Sequence, residues 1–368
     1  MIPFLIACTS PSSLDSTNII DTAILDTSAE LTFEQERYVL SSMLFLNRSG
    51  RLEIFDRENQ EIIWTLSNPE DPVWLDSYII EDGTEIVHNI VDVKTHDPSL
   101  SRIRRINLQG DILEEIPTPG AHHSFAITEQ GFVGIVTEFR QHPEFGKVAG
   151  DRIVLYQNGQ EETLLSSFHV LDPQPLTTMW DFGHFEDAKD WTHANAISWN
   201  QVQQKCILTL PGINAIWLFD AGGTIDSVYL GKNMTAQPYL DGLAYQEQPY
   251  SIYEGGSFDM PHGATLDDEG NIWVLSNGVG GQTPSYFEGY RVQEEELNRF
   301  VQFGPQTEGA HSAGLGSVIR SNDGALIVNW GIYGQIEERD LEGNTKWLIE
   351  SNLQEVYGFS RVFAKWNP

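Results

Sequence analysis

Cysteine is nearly absent: the chain holds two, Cys8 and Cys206. One pair cannot build a disulfide framework, and no CxxC-type spacing offers a zinc site. Positive charge is scarce too. Lys and Arg total 21 against 53 Asp and Glu, a formal charge of −32. That balance argues against a nucleic-acid partner, whose binding rests on basic side chains displacing counterions. It argues equally against docking on anionic lipid. No apolar run approaches the roughly 18 residues of a spanning helix. What is abundant is glycine, at 32 residues, with 10 Trp, 12 Tyr and 18 Phe, while charged residues make up only 20%. This mixture excludes a disordered chain or a long helical bundle and suits many short strands joined by tight turns.

The chain opens Met-Ile-Pro-Phe-Leu-Ile-Ala-Cys. Leu5-Ile6-Ala7-Cys8 resembles a bacterial lipobox, although a basic n-region is missing and the apolar stretch is short for a signal peptide. Residues 9–35 are rich in Ser, Thr and Asp and hold no Lys or Arg, as a solvated tether does. The expected organisation is a signal remnant over 1–8, a tether over 9–38 and one folded domain over 39–368. Lipidation of Cys8 would make the protein an exported cell-envelope lipoprotein, periplasmic or outer-membrane, with the lipid as its sole membrane contact.

From about residue 40 one unit repeats: strand, tight turn ending in Gly, very apolar strand, third strand, turn, fourth strand. The first turns are Glu81-Asp82-Gly83, Glu129-Gln130-Gly131, Asp268-Glu269-Gly270 and Asn322-Asp323-Gly324. Gly ends such hairpins because it takes positive φ without strain. Five units fall at about 72–117, 118–165, 190–230, 258–304 and 308–350, and a sixth begins at Met43–Ser67. Four strands per unit at this period predict an all-β, six-bladed β-propeller with almost no helix. The strand-like Tyr357–Trp366 is expected to complete the N-terminal blade, because closing the ring removes exposed edges. The rival architecture, a pair of β-sandwiches, would not require the turns to repeat in phase. Inserts at about 168–189 and 232–257 are rich in aromatic, Pro and acidic residues and are expected to cap one face.

In a propeller the first strand of each blade lines the channel. His123 lies eight residues before Gly131, His262 eight before Gly270, and His193 opens the pattern of its own unit. These three are expected at one mouth. His311, thirteen residues before Gly324 and set off by Ser312-Ala313-Gly314-Leu315-Gly316, is expected just above it. Each histidine taken singly reads as a hydrogen-bonded structural residue; four at one mouth read as a site. Converging imidazoles can ligate a metal, relay protons or form a covalent adduct. Asn195, Thr192, Ser124 and Ser312 suit an oxyanion better than a metal, whereas Asp190 and Asp181 would suit a metal. Cys206, in the apolar stretch Cys206–Leu210, is expected to be a buried, inert thiol.

Asp190-Trp191-Thr192-His193-Ala194-Asn195-Ala196-Ile197 resembles the Asp-Trp-x-His-x-Asn element of bacterial arylsulfotransferases. Pro261-His262-Gly263-Ala264, running on to Ser276-Asn277-Gly278, is similar to that family's second His strand. Gly316–Val318 through Asn329-Trp330-Gly331 is similar to its last blade, and His122-His123-Ser124-Phe125 to its earlier His-His element. The resemblance spans roughly 118–366 and implies a six-bladed propeller. It implies sulfuryl transfer from an aryl sulfate to a phenol through a sulfohistidine, with no nucleotide donor, no other cofactor and no metal. It further implies His311 as nucleophile, His193 and His262 on the sulfuryl oxygens, and Asn195 orienting or donating. The stretch where the family carries a charge-stabilising Arg reads Ser285-Tyr286-Phe287-Glu288-Gly289-Tyr290, placing Tyr286 there, with Arg291 nearby. His123, Trp191 and Tyr286 join Asn195 as candidate substrate contacts, and Trp180 and Tyr239 as candidate stacking partners for a phenol ring. Two other functions stay open at this point: a non-catalytic propeller binding a ligand or protein at its mouth, which the missing Arg favours, and a metal-dependent hydrolase or lactonase.

Overall fold

The chain forms six antiparallel β-sheets arranged as the blades of a propeller. The computed structural model describes residues 36–45, 50–68, 71, 73–91, 98–177, 181–279, 283–306, 309–351 and 355–364. Cys8, most of the tether and Trp180 lie outside them. We number the blades in chain order, naming strands from the channel outwards. Blade 1 runs Glu355–Phe363, Tyr38–Phe45, Gly50–Asp56 and Glu61–Asn68, so its inner strand comes from the C-terminal end. Met43 pairs with Tyr357 and Tyr38 with Phe363, which closes the ring as expected.

Blade 2 is Ser77–Ile80, Glu85–Ile90, Arg102–Asn107 and Ile112–Pro117. Blade 3 is Ala121–Ile127, Phe132–His142, Gly146–Gln157 and Gln160–Ser166. Blade 4 is Ala196–Asn200, Lys205–Leu210, Ala215–Asp220 and Ile225–Leu230. Blade 5 is Pro261–Leu266, Ile272–Ser276, Tyr286–Gln293 and Glu296–Phe303, and blade 6 is Ser317–Arg320, Leu326–Asn329, Gln335–Arg339 and Thr345–Glu350.

The core lies between neighbouring blades, because each sheet must bury both faces. Ile207, Ile216 and Tyr229 of blade 4 pack on Ala264, Ile272 and Val274 of blade 5. Trp273 and Phe287 of blade 5 pack on Val318, Leu326 and Trp330 of blade 6 and its following turn. Near the channel the contacts turn polar. Ser124 Oγ donates to Ile197 O and accepts from Ile197 N. Ser198 Oγ donates to Ala264 O, Thr265 Oγ1 to Val318 O, and Tyr78 OH to Phe125 O. Hydroxyls on inner strands thus satisfy backbone groups of the next blade that have no ladder partner.

The two inserts do different things. The segment after Leu230 forms two short helices, Gln237–Leu240 and Leu243–Glu247. It then returns as Ser251–Tyr253, which adds a parallel fifth strand outside Ile225–Leu230. It therefore lies along the outer rim of blade 4. Tyr239 is fully buried there, with Trp217 Nε1 on its hydroxyl at 3.5 Å, out of reach of a channel ligand. The other insert, after the short helix Ser167–Val170, ends in Lys189–Asp190, which pairs in parallel with Val148 and Ala149 of blade 3. The second and third strands of blade 3 are 11 and 12 residues long, and their hairpin rises on the side where the first strand begins. Phe139 on that hairpin meets Phe185 of the insert at 5.1 Å. Insert and hairpin together wall one side of the histidine mouth.

Candidate functional site

Two backbone features aim the histidines. On the inner strand of blade 3, His122 pairs with Ile135 and Phe125 with Gly134, so His123 and Ser124 bulge from the ladder. Blade 5 repeats this: His262 pairs with Leu275 and Thr265 with Trp273, leaving Gly263 and Ala264 to bulge. By pairing register, His262 therefore corresponds to His122, and His123 to Gly263. This corrects the one-residue offset that comes from counting back from the hairpin glycines. His123 (φ 56°) and His193 (φ 49°) both take the left-handed conformation, as Gly263 does (φ 55°). For a residue with a Cβ this costs roughly 1–2 kcal/mol, strain of the kind that collects at functional sites.

The rings form one cluster. His123 meets His122 at 5.1 Å and His193 at 5.1 Å, both edge to face. Phe182, from the insert, lies flat on His193 at 4.1 Å, and His184 meets His193 at 6.0 Å. The His122 and His193 side chains each keep 20% of their surface exposed, enough to touch a ligand. His262 is only 4% exposed and stacks on Phe359 at 5.4 Å. Its Nδ1 donates to Gly316 O at 2.8 Å.

His311 stands just before the inner strand of blade 6, on the loop that ends at Gly316. Its Nδ1 donates to Thr283 O at 3.1 Å. The loop is tied down by Asn277 Nδ2 to Ser312 O and by Ser312 N to Ser285 Oγ.

Charge is distributed unevenly across the cluster. His193 Nδ1 donates to Asp190 Oδ2 at 2.6 Å. Burial pulls the His193 pKa down, but the Asp190 charge and hydrogen bond, with the Asp151 charge, outweigh it and hold it above the ordinary value. His123 is pushed well below that value by burial and by the fields of His122, His193, His262 and His184. His262 is pushed down to about 3, by burial and then by His193. At His193 the mouth thus favours an imidazolium, beside neutral rings at His123 and His262. An imidazolium whose Nδ1 is spoken for still has Nε2–H to donate to an anion. A neutral ring that donates through Nδ1 carries a lone pair on Nε2, so His262 cannot donate to a sulfuryl oxygen from that nitrogen.

Two of the sequence candidates, Trp191 and Asn195, are committed elsewhere. Trp191 is fully buried against Phe168 at 5.5 Å, inside the core rather than in the mouth. Asn195 donates from Nδ2 to Pro261 O at 3.0 Å and accepts from Thr209 Oγ1, so its amide bridges blades 4 and 5. Tyr286 begins the third strand of blade 5, opposite Ser276, and Arg291 further along lies over Phe300 at 4.4 Å. Arg361, on the inner strand of blade 1, is paired with Asp76 at 2.7 Å and lines a cavity of about 470 Å³ at the opposite mouth. Asp190 is committed to His193 and Asp181 to Lys189 at 2.7 Å. Among the described residues no three His, Cys, Asp or Glu are placed to share a metal ion. Cys206 is buried, and burial raises its thiol pKa to about 12.

Sequence reasoning missed Asp151, Phe182 and His184, and named His122 only as part of the His-His element. His122 was legible as a neighbour of His123. Asp151 and Phe182 reach the site only through tertiary pairing of the insert and the long hairpin.

Residues 32–229, more than half of the chain, match the family described as Arylsulfotransferase (ASST). That stretch carries His122, His123, Asp151, Asp190 and His193, while His262 and His311 lie beyond it. No curated protein matches the sequence. Two solved structures are similar over most of both chains. A protein of unknown function from Bacteroides caccae is 11% identical, with a TM-score of 0.50, over 89% of this chain and 98% of that one. The periplasmic gluconolactonase PpgL of Pseudomonas aeruginosa is 10% identical, with a TM-score of 0.51, over 89% and 99%. Identity this low extends the likeness to the fold alone. With the Asp190–Ile197 element at the mouth of a six-bladed propeller and the family match running through it, the chain belongs to the arylsulfotransferase (ASST) family.

Proposed function

We propose that this protein transfers a sulfuryl group from an aryl sulfate to a phenol through a sulfohistidine. The observation that carries this reading is the His193–Asp190 pair, which sets an imidazolium beside the neutral rings of His123 and His262. An aryl sulfate is an anion, and a chain of charge −32 repels it at long range. A fixed local cation is what such a substrate needs there, and His193 takes over the task of the Arg absent at Tyr286.

His311 fits the nucleophile better than His262 does. Its Nδ1–H is held by a carbonyl, which orients Nε2 as the attacking nitrogen. His262 is nearly closed to solvent and its low basicity makes it a poor nucleophile. Attack by His311 Nε2 on sulfur forms an S–N bond as the S–O bond to the phenol breaks. The acceptor phenol then reverses the sequence. His193 holds the sulfuryl oxygens, His262 and Phe359 back the pocket, and Phe182 on His193 offers a face for the aryl ring.

The test is turnover of a chromogenic aryl sulfate with a phenol acceptor. His311→Ala should abolish it, and His193→Ala should lose about 10²–10³ in rate, as for an oxyanion donor. Full activity in His311→Ala removes that residue as nucleophile. The position held by Tyr286 favours the second reading, a binding propeller; saturable aryl sulfate binding without turnover would establish it. The address is proposed separately: Cys8 carries a lipid and the propeller works in the cell envelope. Radiolabelled fatty acid should mark the protein and miss Cys8→Ser; unlabelled native protein would reject this.

A further inference from the structure

One chain of hydrogen bonds in the mouth is not used by attack on sulfur. Asp151 is 5% exposed, on the third strand of blade 3, and its carboxylate is held below the ordinary range by hydrogen bonds and the charge of His122 despite burial. An ionised carboxylate only accepts, so His122 Nε2, at 3.0 Å from Asp151 Oδ1, donates. The other nitrogen of that ring, Nδ1, is 2.8 Å from His123 Nδ1. With Nδ1 committed to His122, Nε2 is the nitrogen left on the far edge of His123, on the ring that meets His193 at 5.1 Å. Asp151 Oδ2 takes Thr192 Oγ1 at 2.6 Å and Ala194 N at 2.7 Å, so the same carboxylate clamps the turn that carries His193.

We propose that Asp151, His122 and His123 form a proton relay in which His123 Nε2 is the general acid and base for the phenol oxygen. This rests on the sulfuryl-transfer reading above. In the resting state the relay holds one extra proton: His122 is the imidazolium against Asp151, and its Nδ1–H donates to His123 Nδ1, leaving His123 with Nε2–H. As His311 takes the sulfuryl group and the S–O bond breaks, His123 Nε2–H passes its proton to the departing phenolate. The His122 Nδ1 proton moves to His123 Nδ1, and His122 becomes neutral. The acceptor phenol then gives its proton to His123 Nε2, and the His123 Nδ1 proton returns to His122. Each cycle starts and ends with the same proton count, and no co-reactant is required. The buried position of Asp151 is explained by this arrangement: it stabilises the charge on His122 while His123 stays neutral in a crowded cluster of imidazoles.

The test is a leaving-group series, from 4-nitrophenyl sulfate to sulfates of alkylphenols, with wild type, His123→Gln, His122→Phe and Thr192→Val. A phenolate that leaves readily needs little help from an acid, whereas a basic one needs it fully. For His123→Gln the relay predicts a loss under tenfold with 4-nitrophenyl sulfate, growing to about 10²–10⁴ with alkylphenyl sulfates, the usual range for general acid catalysis. His122→Phe keeps both Asp151 contacts to the His193 turn, and should show the same gradient more weakly. Thr192→Val loosens that turn and should lose rate evenly across the series. An even loss in both histidine variants would overturn the relay and leave the transfer reading standing. A wild type inactive on the whole series would overturn both.

Discussion

At the scale of single residues the site works by contrast between similar groups. His123, His193 and His262 belong to one cluster, yet His193, with a carboxylate against its Nδ1, is pushed toward the charged form while the other two are pushed away from it. Asp190→Asn keeps the hydrogen bond and removes the charge. The His193 pKa should then fall, so the pH below which the enzyme is fully active should move to the acid side. A pH–rate profile with no such shift would separate Asp190 from the charge state of the site. His262 has the opposite stability signature. Its folded pKa, about 3, lies below the ordinary value of 6.5, so the stability it contributes is complete above about pH 6.5 and is lost as pH falls toward 3. His193, raised, contributes stability at low pH that is lost as pH rises through its folded pKa. In melts between pH 7 and 5, His262→Asn should therefore lose less Tm than wild type does; an equal loss would mean that His262 is not buried neutral.

At the scale of elements the positions of the histidines come from bulges and close approaches. The repeat and its turn phase were legible in the sequence, because hairpin glycines and apolar second strands recur at each blade. The register near His123 was not. Over the same stretch of second strand, blade 3 holds one more inner-strand residue between His122 and Ile127 than blade 5 does between His262 and Leu266, so a simple count back from the glycines slips by one. The inserts were legible as insertions but not as to where they land. Lys189–Asp190 is held by only two ladder positions on the long hairpin, a pairing no local pattern announces. Trp191 and Asn195 were legible as parts of a family element, yet they hold the element together and do not face a ligand. Gly212 shows how tightly it is held: Gly212 N donates to Thr192 O at 3.1 Å, and a Cβ on Gly212 would collide with the Trp191 carbonyl. Gly212→Ala should cost about 1–3 kcal/mol, as overpacking does, and should depress transfer by shifting His193. Calorimetry and the turnover assay on that variant check both; unchanged values would show that the backbone there yields freely.

At the scale of the whole molecule the ring is held shut by its last strand. Glu355–Phe363 supplies the inner edge of blade 1, Ser360 Oγ meets Ser41 Oγ at 2.8 Å, and Phe359 backs His262. Truncation after Ser351 would expose the edge of Tyr38–Phe45 and strip Tyr357 and Val362 from the wall shared by blades 1 and 6. The truncated chain should aggregate or melt far below the full one, as read by gel filtration and calorimetry; a monomer of unchanged Tm would contradict the closure. Function at this scale joins one mouth of the ring to the chemistry proposed for it, and the covalent intermediate is where the two meet. The most direct test is mass spectrometry of the protein quenched during turnover of a chromogenic aryl sulfate, with peptide mapping of the modified residue. The account predicts a single sulfuryl group on His311, absent in His311→Ala and discharged by added phenol. A sulfuryl group mapped to another residue, or none in protein that is turning over, would contradict it.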